Sequence, residues 1–394
     1  MIINSLLDND LYKFTMQQLV LHQYPSTWTK YKFKCRNYEL LQRVISPNFV
    51  YDLNREINHL CSLRFSKEEL QYLSKITFLK VDYIDYLSLL KLNKDYIKIS
   101  YNEEDNDLQI IIEGPWLATI LFEVPLLAII SELYMKSVNI LNKNFITFGK
   151  ERLNEKIKLI KESDVKIKFA DFGTRRRYSQ SFQRYVLITL KDCLPKNIFI
   201  GTSNVWLSKI YDLKPIGTFA HEFIMAHQQL GVRLVDSQKA ALESWVKEYR
   251  GNLGIALSDC INMDVFLGDF DLYFCKLFDG CRQDSGDPYE WCEKLINHYG
   301  FMKINPKTKF AIFSDSLTFE KAIDLAKTFG DRINVSFGIG TSLTNDRGIV
   351  PLNMVIKMIE CNGKPVAKIS DSPGKGMCED EEYLSYLKKV FKVK

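Results

Sequence analysis

The chain is 394 residues long, 46% hydrophobic and 26% charged, ordinary for a soluble globular protein and long enough for a large core in two domains. Its 53 basic and 48 acidic side chains leave a net charge of +5, spread along the chain, too mild for a nucleic-acid partner but suited to small anionic ligands. Nine cysteines with no CxxC pair read as free thiols of a reducing cytoplasm rather than disulfides or a zinc site, and the five histidines form no metal-ligand set by spacing.

Leu6 and Leu7 are followed at once by Asp8, Asn9 and Asp10, so no N-terminal targeting signal is expected. Apolar spacing at Leu7, Leu11, Phe14 and Leu21 predicts a helix over 6–22, with Asp8 or Asp10 near its start. Tyr12, Met16 and Leu19 mark a second apolar face, which needs cover from its own domain or from another chain. Residues 31–37 alternate as a strand, and 97–101 with 108–112 predict a hairpin. The most apolar stretch, 115–134, is interrupted by Glu123, Pro125 and Glu132; it predicts a buried, broken helix and no membrane span.

From about residue 160 the pattern changes to short apolar runs alternating with helical segments. The runs are 165–169, 197–200, 213–216, 254–257, 276–278, 310–313 and 333–337; a final pair, 353–359 and 365–369, brackets a Cys361-Asn362-Gly363-Lys364 turn as a hairpin. Repeated βα units favour a parallel sheet, open or closed into a barrel, with its ligand at the C-terminal strand ends. Polar motifs fall there: 171–177 reads DFGTRRR, 282–287 RQDSGD, 314–316 SDS and 338–342 GIGTS.

Two turns carry the clearest chemistry, Gly201-Thr202-Ser203-Asn204 and Gly217-Thr218-Phe219-Ala220-His221. A strand feeding a helix through glycine and hydroxyl residues leaves unpaired backbone N–H groups, which with the helix dipole attract anions. His221 falls in the first helical turn, where a neutral or phosphorylated imidazole is stabilised; the plain alternative is a cap beside a polar histidine. The glycine turn at 338–342 can wrap a phosphate with backbone N–H groups, although it lacks the Gly-Lys-Ser/Thr of a Walker loop. Arg175, Arg176 and Arg177 open a helix beside a carboxylate, a place to hold diphosphate, with at least one expected on a solvated face. Arg282 and Asp284 lie two apart on an extended segment. The guanidinium suits a carboxylate and Asp284 suits ribose hydroxyls or magnesium, unless the two form a strand-end salt bridge.

Together with Leu11-Tyr12-Lys13, these motifs resemble the nicotinate phosphoribosyltransferase family in order and spacing across essentially the whole chain. The resemblance implies an irregular α/β barrel with a mixed α+β N-terminal domain, bounded at 1–140 and 141–394, whose C-terminal end can pack back on the first domain. It implies a homodimer with shared active sites and an ATP-dependent enzyme of the ligase class. Nicotinate and 5-phosphoribosyl 1-diphosphate would give nicotinate mononucleotide and diphosphate, the first step of NAD salvage from nicotinate. His221 would be phosphorylated by ATP and act with Arg282 and Asp284 as the catalytic set. Tyr12, Thr218 and Arg282 would contact nicotinate, with Phe172 stacked on its ring. Arg175 would meet phosphate oxygens, Asp284 the ribose, and Gly340 with Thr341 the 5′-phosphate; Ser203, Ser314, Asp315 and Gly338 complete the binding set. Magnesium would accompany the diphosphate and ATP; its ligands are not assigned, with Asp259 and Asp315 as candidates.

Two other classes compete. A nicotinamide-using relative carries an aspartate at the position of Ser203 to accept from the carboxamide; an aspartate would repel a carboxylate, so Ser203 favours nicotinate. A non-enzymatic nucleotide-binding barrel would tolerate loss of His221 and Arg282, yet both are present.

Overall fold

The computed structural model describes residues 1–138, 145–372 and 374–393, so the boundary expected between 140 and 141 lies outside the described residues. Its strands are β1 (Trp28–Cys35), β2 (Ile97–Asn102), β3 (Asp107–Pro115), β4 (Phe169–Asp171), β5 (Phe199–Thr202), β6 (Ile255–Leu257), β7 (Gly280–Gln283), β8 (Phe310–Phe313), β9 (Asn334–Ile339), β10 (Met354–Cys361) and β11 (Lys364–Pro365). They form an antiparallel sheet in the order β11-β10-β1-β3-β2 and a parallel sheet in the order β5-β4-β9-β8-β7-β6.

The antiparallel sheet takes strands from both ends of the chain. β2 and β3 form the expected hairpin, with Ile99 opposite Ile110. β10 lies antiparallel on β1, Phe33 opposite Ile356. Alternation puts Tyr31, Phe33, Met354, Ile356 and Met358 into the core while Lys32 and Lys357 face the other way. The helix Glu123–Val138, buried from Glu123 to Met135, packs beside this sheet. The span Trp116–Val138 is long and apolar enough to cross a membrane by composition, yet 89% of its apolar window is buried inside the protein.

In the parallel sheet, aromatic side chains interlock along the strands: Phe313 stacks on Phe337 at 5.7 Å and Phe169 meets Phe319 edge-on at 4.9 Å. The edge strands β5 and β6 are bridged by the chain at 214–218. Thr202 N donates to Lys214 O, Ile216 N to Thr202 O, and Thr218 Oγ1 to Ile255 O at 2.9 Å. The seam of this irregular α/β layer is therefore an extended segment rather than a strand.

Several expected elements are displaced, each for a local reason. The first helix runs Leu11–Gln23 and not from residue 6. Residues 6–10 form turns and bends that are tied down, with Leu11 N donating to Ser203 O, Val205 N to Asn9 O, and the Asn9 side chain to Leu121 O. On the second apolar face of that helix Met16 and Leu19 have no exposed surface, while Tyr12 is half-buried. Residues 276–278 are not a strand: Asp271 caps a helix Leu272–Leu277, its Oδ1 accepting from Tyr273 N and Phe274 N, and the strand starts at Gly280. The run 213–216 makes only an isolated bridge, Thr202 with Pro215, because proline lacks the donor a ladder requires. Strand β4 begins at Phe169 and so carries Asp171 within it.

Candidate active site

Each of the six parallel strands leads into residues of the candidate site. β4 leads to Phe172, β5 to Ser203, β6 to Asp259, β7 to Asp284, β8 to Ser314 and Asp315, and β9 to Gly340 and Thr341. Into the same region the seam delivers His221, the first residue of the helix His221–His227.

His221 has one ring nitrogen engaged and one open. Its Nε2 lies 2.9 Å from Asp259 Oδ1 and 2.8 Å from Lys368 Nζ, and Lys368 Nζ is 2.7 Å from Asp259 Oδ2. Ser285 Oγ also donates to Asp259 Oδ2, at 2.5 Å. One nitrogen cannot donate to Asp259 and accept from Lys368 together. Asp259 is fully buried and held well below the usual carboxylate range: burial pushes it up, but His221 and Lys368 outweigh it. An ionised acceptor beside Nε2 fixes the Nε2–H tautomer, Lys368 donates a hydrogen bond to the other carboxylate oxygen, and Nδ1 keeps its lone pair. Burial, then the Lys368 charge, pulls the His221 pKa down to about 4, so the ring is neutral at pH 7. Nδ1 faces Asp284 Oδ2 across 3.7 Å.

Arg282 and Asp284 do share one site. Arg282 Nη1 is 3.6 Å from Asp284 Oδ1 and donates to Ser314 Oγ at 3.3 Å, while Nη2 donates to Phe219 O at 3.2 Å. Ser314 Oγ lies 3.0 Å from Asp284 Oδ1. Burial pushes the Asp284 carboxyl up, yet Arg282 and His221 hold it below its ordinary value. Asp315 pairs with Lys375, whose ammonium also reaches Asp284 O at 3.5 Å.

A second cluster gathers around Arg175. Arg175 and Arg176 lie in a 3-10 turn, Thr174–Arg176, with Arg177 extended just after it, instead of opening an α-helix; the helix that follows is Gln180–Cys193, capped by Ser179. Arg175 keeps 42% of its side chain exposed, while Arg176 and Arg177 are held against the protein. Arg177 is fully buried against Asp8 at 2.7 Å and Glu132 at 3.0 Å, and Arg176 gives two hydrogen bonds to Met354 O. Arg175 is the most open; it lies 3.5 Å from Glu123, 3.9 Å from Asp10 and 6.0 Å from the Tyr12 ring centre. Lys13, with no exposed surface, bridges Glu123 and Glu222 at 2.6 Å each, which connects this cluster to the residue after His221. Ser203 Oγ donates to Asp10 Oδ1 at 2.7 Å. The sequence leads one to expect a turn without a carboxylate at Ser203, but the turn has one: Asp10, the residue before the first helix, whose burial raises its pKa and whose charge is countered by Arg175.

The remaining candidate site residues are placed as follows. A Cβ on Gly338 would stand 2.3 Å from the Phe172 ring, so only glycine lets that ring lie over the end of β9. Gly340 packs against the Phe172 carbonyl and leads into the single turn Thr341–Thr344. Thr218 is half-buried with its hydroxyl proton directed at Ile255 O. Tyr12 Oη is buried and has no hydrogen-bond partner among the described residues.

Ligand atoms of His221, Asp259 and Asp284 lie within 4.8 Å of one another, a spacing that could hold a metal. Magnesium does not fit that trio. Lys368 already supplies the positive charge, both Asp259 oxygens are engaged, and magnesium favours oxygen ligands over imidazole. Asp315 is likewise occupied by Lys375. Asp284 fits better: magnesium commonly takes one or two carboxylates plus substrate phosphates.

A profile described as the nicotinate phosphoribosyltransferase (NAPRTase) family matches residues 167–394, and that of the NAPRTase N-terminal domain matches 7–131. The chain belongs to the nicotinate phosphoribosyltransferase family. It is 52% identical over 395 residues to a nicotinate phosphoribosyltransferase of Xylella fastidiosa, covering 100% of this chain and 98% of that protein. A Burkholderia ambifaria nicotinate phosphoribosyltransferase is 51% identical over 99% of this chain and 97% of its own. The crystal structure of nicotinate phosphoribosyltransferase from Vibrio cholerae superposes with a TM-score of 0.93 at 38% identity, covering 100% of this chain and 95% of that one. That from Porphyromonas gingivalis gives 0.92 at 32%, covering both chains fully. Within this family member, the residues that no sequence motif contains are Lys368 and Lys375, while Ser285 lies inside the 282–287 motif and Asp10 stands only near a predicted helix start. Lys368 carried a signal, since it is a lone cation in the apolar run 365–369.

Proposed function

We propose that this protein transfers the phosphoribosyl group of 5-phosphoribosyl 1-diphosphate to nicotinate in the cytoplasm, with ATP hydrolysis coupled through a phosphohistidine at His221. The ribose C1–diphosphate bond breaks, the pyridine nitrogen forms the new bond to C1, and diphosphate leaves. Positive charge develops on the ribose and negative charge on the leaving group, so holding the ring in line and neutralising diphosphate dominate over covalent chemistry by the protein. Arg282 pairs with the nicotinate carboxylate, Phe172 and Tyr12 flank the ring with Thr218, Asp284 takes the ribose hydroxyls and Arg175 meets phosphate oxygens. Gly338, Gly340 and Thr341 receive the 5′-phosphate, and Ser314 with Asp315 frames Asp284. Asp284 together with substrate phosphates would hold magnesium, which would supply charge neutralisation to the diphosphate.

The observation that carries the ATP step is the state of His221. A neutral ring with Nε2 engaged by Asp259 leaves the Nδ1 lone pair to accept the γ-phosphoryl group as ADP departs; water later releases phosphate. Lys368 disfavours an imidazolium beforehand and offsets phosphate charge afterwards. The family resemblance supports a homodimer with shared sites, although Tyr12 packs on Arg175 of its own chain. Purified protein with labelled nicotinate or nicotinamide, with and without ATP, tests the assignment. Nicotinate should turn over faster with ATP, and nicotinamide should not replace it; equal turnover of both bases would overturn the substrate assignment.

A further inference from the structure

Behind the Gly340-Thr341 turn lies a cavity of about 210 Å³, walled by Arg152, Lys156, Phe319, Glu320, Ser342 and Asp346. The turn is anchored on its front side by the arginine loop: Asn345 Nδ2 donates to Arg176 O at 2.7 Å, Thr344 Oγ1 to Gly173 O at 3.0 Å, and Tyr178 N to Thr344 O. On the cavity side the anchor is Lys156, on the helix Phe145–Glu162. Its ammonium donates to Ser342 O at 2.5 Å and to Asp346 Oδ2 at 2.6 Å, and its side chain is only 13% exposed. Arg152 Nε also donates to Asp346 Oδ2, at 3.2 Å. Ser342 Oγ meanwhile donates to Leu317 O. Without Lys156, the Ser342 carbonyl would face the cavity unpaired, and the turn would have empty space to sink into.

We propose that Lys156 is a positioning residue for phosphate binding: holding the Ser342 carbonyl and the Asp346 carboxylate from behind, it fixes the Gly340-Thr341 turn that meets the 5′-phosphate. It touches neither substrate nor any reacting atom. The inference rests on the reading of that turn as the 5′-phosphate site. A turn receiving phosphate through backbone N–H groups depends on its main-chain position, so a shift of the turn weakens one end of the substrate and spares the other.

The test uses Lys156→Met and Lys156→Arg in the full chain, with calorimetric binding of ribose 5-phosphate and of inorganic diphosphate, and separate KM values for both substrates. In Lys156→Met, ribose 5-phosphate affinity should fall about tenfold and the KM for phosphoribosyl diphosphate should rise as much. Diphosphate affinity, nicotinate KM and kcat should stay within about twofold, and the Arg variant, which keeps a donor, should recover most of the loss. Unchanged ribose 5-phosphate affinity would overturn the role of Lys156. Equal weakening of all ligands with a lowered Tm would overturn it in favour of a general structural role. Loss of diphosphate affinity alone would overturn the 5′-phosphate assignment of the turn, and the proposal with it.

Discussion

Two buried charge clusters, built from similar parts, behave differently. In the first, Arg177 is enclosed by Asp8, Glu132 and Gln183, and Asn204 and Gln180 fill further carboxylate positions. Arg177, Asp8 and Glu132 have almost no exposed surface, and the cluster joins the N-terminal segment, the helix Glu123–Val138 and the turn after β5. In the second, Asp259 and Lys368 hold His221 on one side only, and 14% of the imidazole remains exposed. A cluster that satisfies its members from all sides serves architecture; one that leaves a lone pair open serves chemistry.

The largest expected effect tests the closed cluster. Arg177→Met leaves two buried carboxylates without their cation and should cost about 3–5 kcal/mol of stability, read from the denaturant midpoint. A midpoint equal to wild type would remove the distinction between the clusters. Arg282→Ala belongs to the open side and should lose about 2–5 kcal/mol of nicotinate binding with little change in that midpoint.

Acid separates the clusters further. Burial pulls the pKa values of His221 and His227 from 6.5 to about 4, so the unfolded chain binds protons on both rings before the folded chain does. Their stabilising contribution is complete above pH 6.5 and is lost as pH falls towards 4, by up to about 3 kcal/mol for each ring. His227→Gln should flatten part of that slope in urea titrations at pH 7, 6 and 5; an unaltered slope would show that His227 titrates normally. The smallest effect concerns assembly. Mixing inactive Tyr12→Ala with inactive Arg282→Ala chains should restore partial activity if Tyr12 serves a neighbouring subunit's site. No recovery despite subunit exchange would assign Tyr12 to its own chain, where it packs on Arg175.

Much of this was legible in the sequence because the polar motifs stand directly after the apolar runs, and β8 follows its run at 310–313 without displacement. His221, Arg282 and Asp284 come together because a helix start and the end of β7 converge, which the alternating pattern predicts. What was not legible depends on distant pairing. Lys368 acts on His221 across 147 positions, and Asp10 reaches Ser203 across 193; no local period encodes either contact. The strand at 276–278 failed for another reason. A short apolar run is compatible with helix or strand, and the Asp271 cap decided it.

The open nitrogen of His221 is best tested by following the phosphoryl group itself. The protein is incubated with ATP labelled in the γ-phosphoryl group, alongside His221→Asn, and the label is mapped after alkaline handling. One acid-labile, alkali-stable label on His221 is predicted. The Asn variant should take up none and should keep slow transfer without ATP stimulation. Label on another residue, or ATP-stimulated turnover by the Asn variant, would contradict the account.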